Sequence, residues 1–299
     1  MNDETQKSEV RPVIGLIRHA FRILLRTAIL FLILSVGITI FYRFVPVPYT
    51  PLMLWRSTAS IFTEDKFVGI DKKWIPIEQI SKSMQQSVIK SEDYKFYQHH
   101  GFDFEAIEKA MQYNKTHKKT KGASTISQQT AKNVFLWPAR SWVRKGLEAY
   151  FTVLIETLWP KERILECYLN VIELGKGVYG VEAASQKFFK RPASKLNSSQ
   201  AALMAAVLPN PIRFRIDRPS RYISNRQRKI MGRKAPPMIA ASSVEKAELR
   251  PIESQEEKSK EFFSLKFDSE EDEEKSEGFG KGASAPKETT DKSDEVQND

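Results

Sequence analysis

Residues 27–42 (TAILFLILSVGITIFY) form an apolar run without a charge, and from about residue 75 the pattern changes to apolar positions recurring every three or four residues. Adding Ile23 to Leu25, with Arg22 and Arg26 able to stretch their charged heads to an interface, gives about 20 residues, the length of one membrane span. Lys7, Arg11, Arg18, Arg22 and Arg26 precede the run, whereas Arg43 and the Pro-rich VPVPYTP follow it. That basic flank predicts a cytoplasmic N-terminus and an external body. A cleaved signal peptide is the competing reading, but the run is long and no small-x-small site follows it before the prolines, so an uncleaved anchor is expected.

Between about 75 and 210 the text predicts helix after helix. Ile77, Ile80, Met84 and Val88 mark one apolar helical face. Asp103 can cap the helix that follows it. Ser141 opens a long helix with Val143, Leu147, Tyr150, Leu154 and Leu158 as its stripe, and Pro160 stops it. Thr125 with Gln128, and Asn197 with Gln200, fit capping boxes. Alternating strand patterns are scarce, so the body reads as mainly α. The expected organisation is a cytoplasmic segment 1–22, an anchor 23–43, a membrane-proximal linker and jaw segment 44–74, a catalytic domain 75–234 and a tail 235–299.

Charge refines this picture. The chain carries 47 Lys/Arg and 37 Asp/Glu, a formal net charge of +10. The tail is acidic, Ser/Lys-rich and poor in aliphatics, so it is expected to be disordered. The body is correspondingly more basic and suits an anionic partner: nucleic acid, an acidic membrane surface or a phosphorylated substrate. The single cysteine, Cys167, excludes an internal disulfide and sits in an apolar run, which fits a buried thiol. His99 and His100 are adjacent and do not share a helix face, so spacing gives no metal site.

Three clusters carry candidate chemistry. In SEDYKFYQHHGFD (91–103), Glu92 and Asp93 are paired carboxylates among aromatics, suited to general acid–base work, although this cluster alone reads more readily as a solvated pair at a helix end. In KGASTISQQTAKN (121–133), Thr125, Gln129 and Lys132 fall on one face of a helix whose N-terminus suits a phosphate, or form a polar outer face. In RKGLEAYFTVLIE (144–156), Arg144, Lys145 and Glu148 lie three and four residues apart, and either pair with one another in solvent or grip a pyrophosphate.

These segments, with ILECYLNVIELGKGVYGVEAASQKFF (164–189) and LNSSQAALMAAVLPNP (196–211), resemble the five ordered motifs of the peptidoglycan glycosyltransferases, family 51, over roughly residues 75–215. GASTISQQTAKN and RSWVRKGLEA resemble the monofunctional biosynthetic branch in particular. Ala123 stands where many members carry a second glycine, as it does in that branch. The S-x-x-K strings Ser87–Lys90 and Ser243–Lys246 read as coincidence.

The resemblance implies a lysozyme-like α-helical glycosyltransferase domain on one transmembrane helix, in the cytoplasmic (inner) membrane with the catalytic domain periplasmic. It implies lipid II and the growing lipid-linked glycan as substrates, the membrane and other cell-wall synthesis proteins as partners, and no nucleic acid. Glu92 is implied as the base and Glu148 as the second catalytic glutamate. Asp93, Phe96 and His99 match supporting positions of the first motif. Ser124, Thr125, Gln129 and Asn133 match donor-site positions, and Lys132, Arg144 and Lys145 match holders of the pyrophosphate. No cofactor is required on this reading, and a divalent cation, Mg or Mn, is allowed at the pyrophosphate.

Overall fold

The computed structural model describes residues 2–63, 67–117, 120–139 and 141–234. The acidic tail expected over 235–299, with Ser243 and Lys246, lies outside the described residues. Helix α1 (Asn2–Phe44) is continuous. Its Arg18–Phe44 stretch is, among the described residues, the one helix long and apolar enough to cross a membrane.

The C-terminal end of α1 is tied to the body by polar groups that an apolar helix would otherwise leave in hydrocarbon. The Ser35 hydroxyl meets the Tyr150 hydroxyl at 2.7 Å. Trp159 Nε1 donates to the Thr39 carbonyl at 2.7 Å, and Arg43 Nη1 donates to the Leu158 carbonyl at 2.7 Å. Arg163 donates to the carbonyls of Tyr42 and Val45, at 2.7 and 2.6 Å from Nη2. Those two carbonyls sit where α1 ends and lacks helical donors.

After α1 come α2 (Pro51–Thr63), a two-residue strand β1 (Asp71–Lys72), a 3₁₀ turn (Ile77–Gln79) and α3 (Lys82–Glu92). The apolar face expected from residue 77 onward therefore splits. Ser81 caps α3 by accepting from the Met84 N–H at 3.2 Å, which sets the helix start at Lys82. Ile80, Met84 and Val88 are buried as that face requires.

Next come α4 (Phe104–Thr116), α5 (Ile126–Phe135), α6 (Trp142–Leu158) and α7 (Lys161–Val171). Strands β2 (Glu173–Gly175) and β3 (Val178–Tyr179) follow, then α8 (Val181–Phe189), α9 (Ser198–Val207) and α10 (Arg221–Gly232). The three short strands form one sheet in the order β1-β3-β2, parallel between β1 and β3 and antiparallel between β3 and β2. The chain is mainly α, as the periodicity predicts.

Both capping boxes form: Thr125 with Gln128 opens α5, and Asn197 with Gln200 opens α9. Helix α9 is apolar on every side and its Ala201, Ala202, Met204, Ala205, Ala206 and Val207 are buried, the condition for a helix enclosed by others. It packs against both α3 and α10. Residues 105–122, most of α4 and the turn after it, form a separate unit. That unit closes on itself, with the Asn114 amide pairing to both backbone groups of Lys121 and the Lys121 ammonium over the Tyr113 ring at 3.5 Å.

The stripe expected on α6 needs correcting. Val143 is exposed, and Leu147, Tyr150, Leu154 and Leu158 are half-buried. The deepest face is Glu148, Phe151, Thr152 and Ile155. An apolar stripe cannot reveal a face whose centre is a buried, ion-paired carboxylate.

Cys167 is buried, and burial pushes its thiol up to about 12. Gly180, between β3 and α8, has φ 81° and ψ 156°, a region essentially closed to side chains. A Cβ there would lie 2.7 Å from the Asn170 carbonyl oxygen. Gly180→Ala should therefore lower stability by about 1–3 kcal/mol from backbone strain alone. Gly146→Ala, inside α6 with open space around it, should instead gain about 0.5–1 kcal/mol. Thermal unfolding in detergent reads the two opposite signs.

Candidate active site

The site begins where α3 ends. Asp93 follows the last helical residue, Glu92, and turns its carboxylate inward to a position only 6% exposed. Its two oxygens lie 2.9 and 3.0 Å from His99 Nε2, and one also accepts the Ile126 N–H, the first of α5, at 2.9 Å. A carboxylate at a helix N-terminus satisfies an orphan donor and meets the positive end of the helix dipole. The N-terminus of α5, expected as a phosphate site, is thus already occupied by a side chain of the protein. His99 turns inward and His100 is exposed, the divergence expected of adjacent residues.

Several candidate residues are enclosed rather than presented. Thr125 is 2% exposed; its hydroxyl donates to the Gly101 carbonyl at 2.6 Å and accepts from the Gln128 N–H at 3.1 Å. It acts as a cap and not as a surface donor. Phe96 is fully buried beneath the Lys161 ammonium, 4.6 Å from the ring centre. Lys161 in turn donates to Glu156 at 2.7 Å, and Glu156 also accepts from Ser127. Burial lowers the Lys161 pKa, with Glu156 opposing. Ser124 and Asn133 are half-buried at the two ends of α5.

Glu92 keeps its side chain at the surface of the site, 12% exposed. Its surroundings are not the aromatic ones expected from sequence. Oε1 accepts from the Ser91 hydroxyl at 2.9 Å and from Arg226 Nη2 at 3.3 Å, and Oε2 faces Gln129 Nε2 at 3.4 Å. Gln129 is fixed by the buried Tyr168 hydroxyl, which donates to its Oε1 at 3.1 Å. Burial raises the Tyr168 pKa well above its ordinary value, helped by Glu92 and Asp93, so the phenol remains a donor.

One turn further along α5 lies a cluster of cations. Glu148 is 3% exposed and receives Lys145 Nζ at 2.5 Å on Oε1 and Arg144 Nη1 at 3.0 Å on Oε2. Burial raises its pKa, but Lys145, Lys132 and Arg144 outweigh that and hold it below the usual carboxylate value. Glu148 is therefore an anion that gathers cations and a poor candidate for a proton acceptor. The Lys132 pKa is lowered by the protein crowded around its ammonium, with Glu148 opposing and Arg144, Lys145 and Arg56 adding to it. Its side chain is solvent-exposed, so screening weakens that shift. Arg144 Nε is buried without a partner.

Three cations around one carboxylate leave excess positive charge, the arrangement a multiply charged anion neutralises. Glu148 gives one oxygen to each of two of these cations. Among the described residues no three His, Cys, Asp or Glu side chains converge elsewhere.

Sequence reading brought together Glu92, Gln129, Lys132, Arg144, Lys145 and Glu148; the fold sets Gln129 against Glu92 at the end of α3 and packs α5, which carries Lys132, against α6, which carries the other three. It missed Ser91, Tyr168, Lys161 and Arg226. Arg226 lies in an Arg-rich stretch beyond the last motif, where no spacing distinguishes it from its neighbours.

A family model described as Transglycosylase matches residues 62–235. A protein of Bdellovibrio bacteriovorus named biosynthetic peptidoglycan transglycosylase is 62% identical over 250 residues, covering 84% of this chain and 94% of that protein. Proteins of the same name from Pasteurella multocida and Caulobacter vibrioides are each 50% identical, over 70% and 67% of this chain and 85% and 86% of theirs.

Inorganic pyrophosphate should raise the thermal midpoint of the solubilised protein. The rise should shrink in Lys145→Ala, because a charge-assisted contact contributes roughly 1.5–3 kcal/mol. An equal rise in both proteins would put the anion site elsewhere.

Proposed function

The chain belongs to the transglycosylase family, and from that premise we propose that it polymerises lipid II into β-1,4-linked glycan strands for the cell wall, with Glu92 as base and the Lys132–Arg144–Lys145 cluster holding the departing pyrophosphate. The observation that carries this reading is the run of α5. Gln129 meets the carboxylate of Glu92, and Lys132, three residues on, stands close enough to Glu148, Arg144 and Lys145 for their charges to act on its ammonium. At about 1.5 Å of rise per residue, base and anion cluster are about one turn apart along the helix. A sugar whose acceptor hydroxyl and leaving group flank one anomeric carbon needs that separation of charges.

In the reaction, Glu92 takes the proton of the acceptor 4-hydroxyl as its oxygen attacks the anomeric carbon of the lipid-linked chain. The bond to the pyrophosphate breaks and its electron pair stays on the phosphate oxygen, where the cations stabilise it. An α-linked donor gives a β-linked product by a single inversion, so no carboxylate need bond to the sugar. Glu148 keeps Arg144 and Lys145 in place for the leaving group.

The anchor fits a substrate that is itself a membrane lipid. The basic flank ahead of the apolar run of α1 supports an N-terminus in the cytoplasm and a body on the periplasmic side. Protease added to spheroplasts should degrade the body while an N-terminal tag survives; a protected body would reverse this orientation.

The deciding experiment is polymerisation of labelled lipid II by detergent-solubilised protein. Wild type should give polymer that lysozyme digests. Glu92→Gln keeps shape but removes the proton acceptor, a loss on the order of 100- to 10,000-fold, while lipid II binding should persist. Near-wild-type polymerisation by Glu92→Gln would sink the base assignment. Release of muropeptides from sacculi, without polymer from lipid II, would favour a lytic enzyme.

A further inference from the structure

We infer that Arg226, on α10, is a positioning residue for the base: it anchors Oε1 of Glu92, so that Oε2 is the oxygen that takes the acceptor proton. This rests on the assignment of Glu92 made above.

The two oxygens of Glu92 are held very differently. Oε1 lies within a closed triangle, accepting from Ser91 Oγ at 2.9 Å and from Arg226 Nη2 at 3.3 Å, while Arg226 Nη2 also donates to Ser91 Oγ at 2.9 Å. Ser91 Oγ is itself 3.2 Å from the Ala205 carbonyl of α9, so the triangle is braced against the core. Among the described residues Oε2 has the Gln129 amide alone, at 3.4 Å, a contact near the limit of a useful hydrogen bond. It is the oxygen with lone pairs to spare.

Proton transfer to Oε2 leaves Oε1 as a carbonyl acceptor, so Glu92 becomes a neutral acid without losing its hold on Arg226 or Ser91. The acceptor oxygen keeps its electron pair for the new glycosidic bond. A proton on Oε1 would instead face a guanidinium that has no acceptor to offer.

Arg226 is placed with precision because α10 is fixed at several points. Ile223 and Ile230 are buried, Gln227 Nε2 donates to the Ser199 carbonyl at 2.8 Å, and Arg233 donates to the Lys90 carbonyl of α3. The Arg226 side chain is 28% exposed, yet its Nε is buried without a partner. Its binding is therefore concentrated at the tip that faces Glu92.

The test compares lipid II polymerisation kinetics in the full-length protein. A base misplaced by 1 Å costs about 100-fold, so Arg226→Met should lower kcat by about 10- to 100-fold with KM within about twofold. Arg226→Lys, which keeps the charge but not the planar fork, should recover part of kcat. Gly180→Ala, which strains the backbone between β3 and α8, should lower the thermal midpoint without changing kcat, separating positioning from loss of stability.

On a Glu92→Gln background, followed by long incubation, Arg226→Met should cause no further loss. A full extra loss there, a raised KM with unchanged kcat, or wild-type kcat in Arg226→Met would each overturn the inference. If Arg226→Met does not fold, Arg226→Lys carries the same kcat-against-KM comparison. Near-wild-type activity of Glu92→Gln alone is a different failure, that of the base assignment, and is read before any Arg226 variant is made.

Discussion

The carboxylate of Asp93 is the constraint on which the site depends. It is buried, and an unpaired charge there would be severely destabilising. Three contacts offset that cost, two to the His99 ring and one to the first N–H of α5. Because the acceptor belongs to the end of α3 and a donor to the start of α5, the register between the two helices is fixed. Glu92 and Gln129 meet only in that register, and Lys132 is carried along as the next turn of α5. Phe96, Lys161, Glu156 and Ser127 brace the same junction from behind. Much of the first motif thus serves to aim one residue of it.

The second organising feature is the placing of charge. Lys132, Arg144 and Lys145 repel one another, and Glu148 makes their assembly tolerable by giving an oxygen each to two of them. The residual positive charge is fixed in place, so an anion bound there would meet cations that need little reorganisation. Glu92 is held apart from that cluster by one turn of α5. The two glutamates are therefore held differently: Glu148 gives both oxygens to cations, whereas Oε2 of Glu92 is held by the long Gln129 contact.

The anchor is part of the same construction. Ser35 and Thr39 would be poorly placed facing lipid, and both turn to the body, at the hydroxyl of Tyr150 and the indole of Trp159. Tyr150 lies on α6, the helix that carries Arg144, Lys145 and Glu148. The helix long enough to cross a membrane and the cation cluster are thereby joined through α6.

By itself the sequence determined the helical class, the membrane-length helix, both capping boxes and the identity of the chemical groups, because each is written in local spacing or local composition. Thr125 with Gln128 is a cap wherever the helix lies, and Arg144 to Glu148 is one turn on any helix. The motifs also named Glu92 and Lys132, although spacing alone left each with a bland reading. Tertiary structure decided which polar groups are spent on the fold and which remain for chemistry. Asp93 is consumed in joining α3 to α5 and Thr125 in capping α5 against the Gly101 carbonyl, the deep face of α6 centres on a carboxylate that no apolar stripe could mark, and Arg226 reaches Ser91 and Glu92 across 135 and 134 residues of chain. A contact between residues so far apart is set by how α3, α9 and α10 pack, and packing leaves no periodic trace in the sequence.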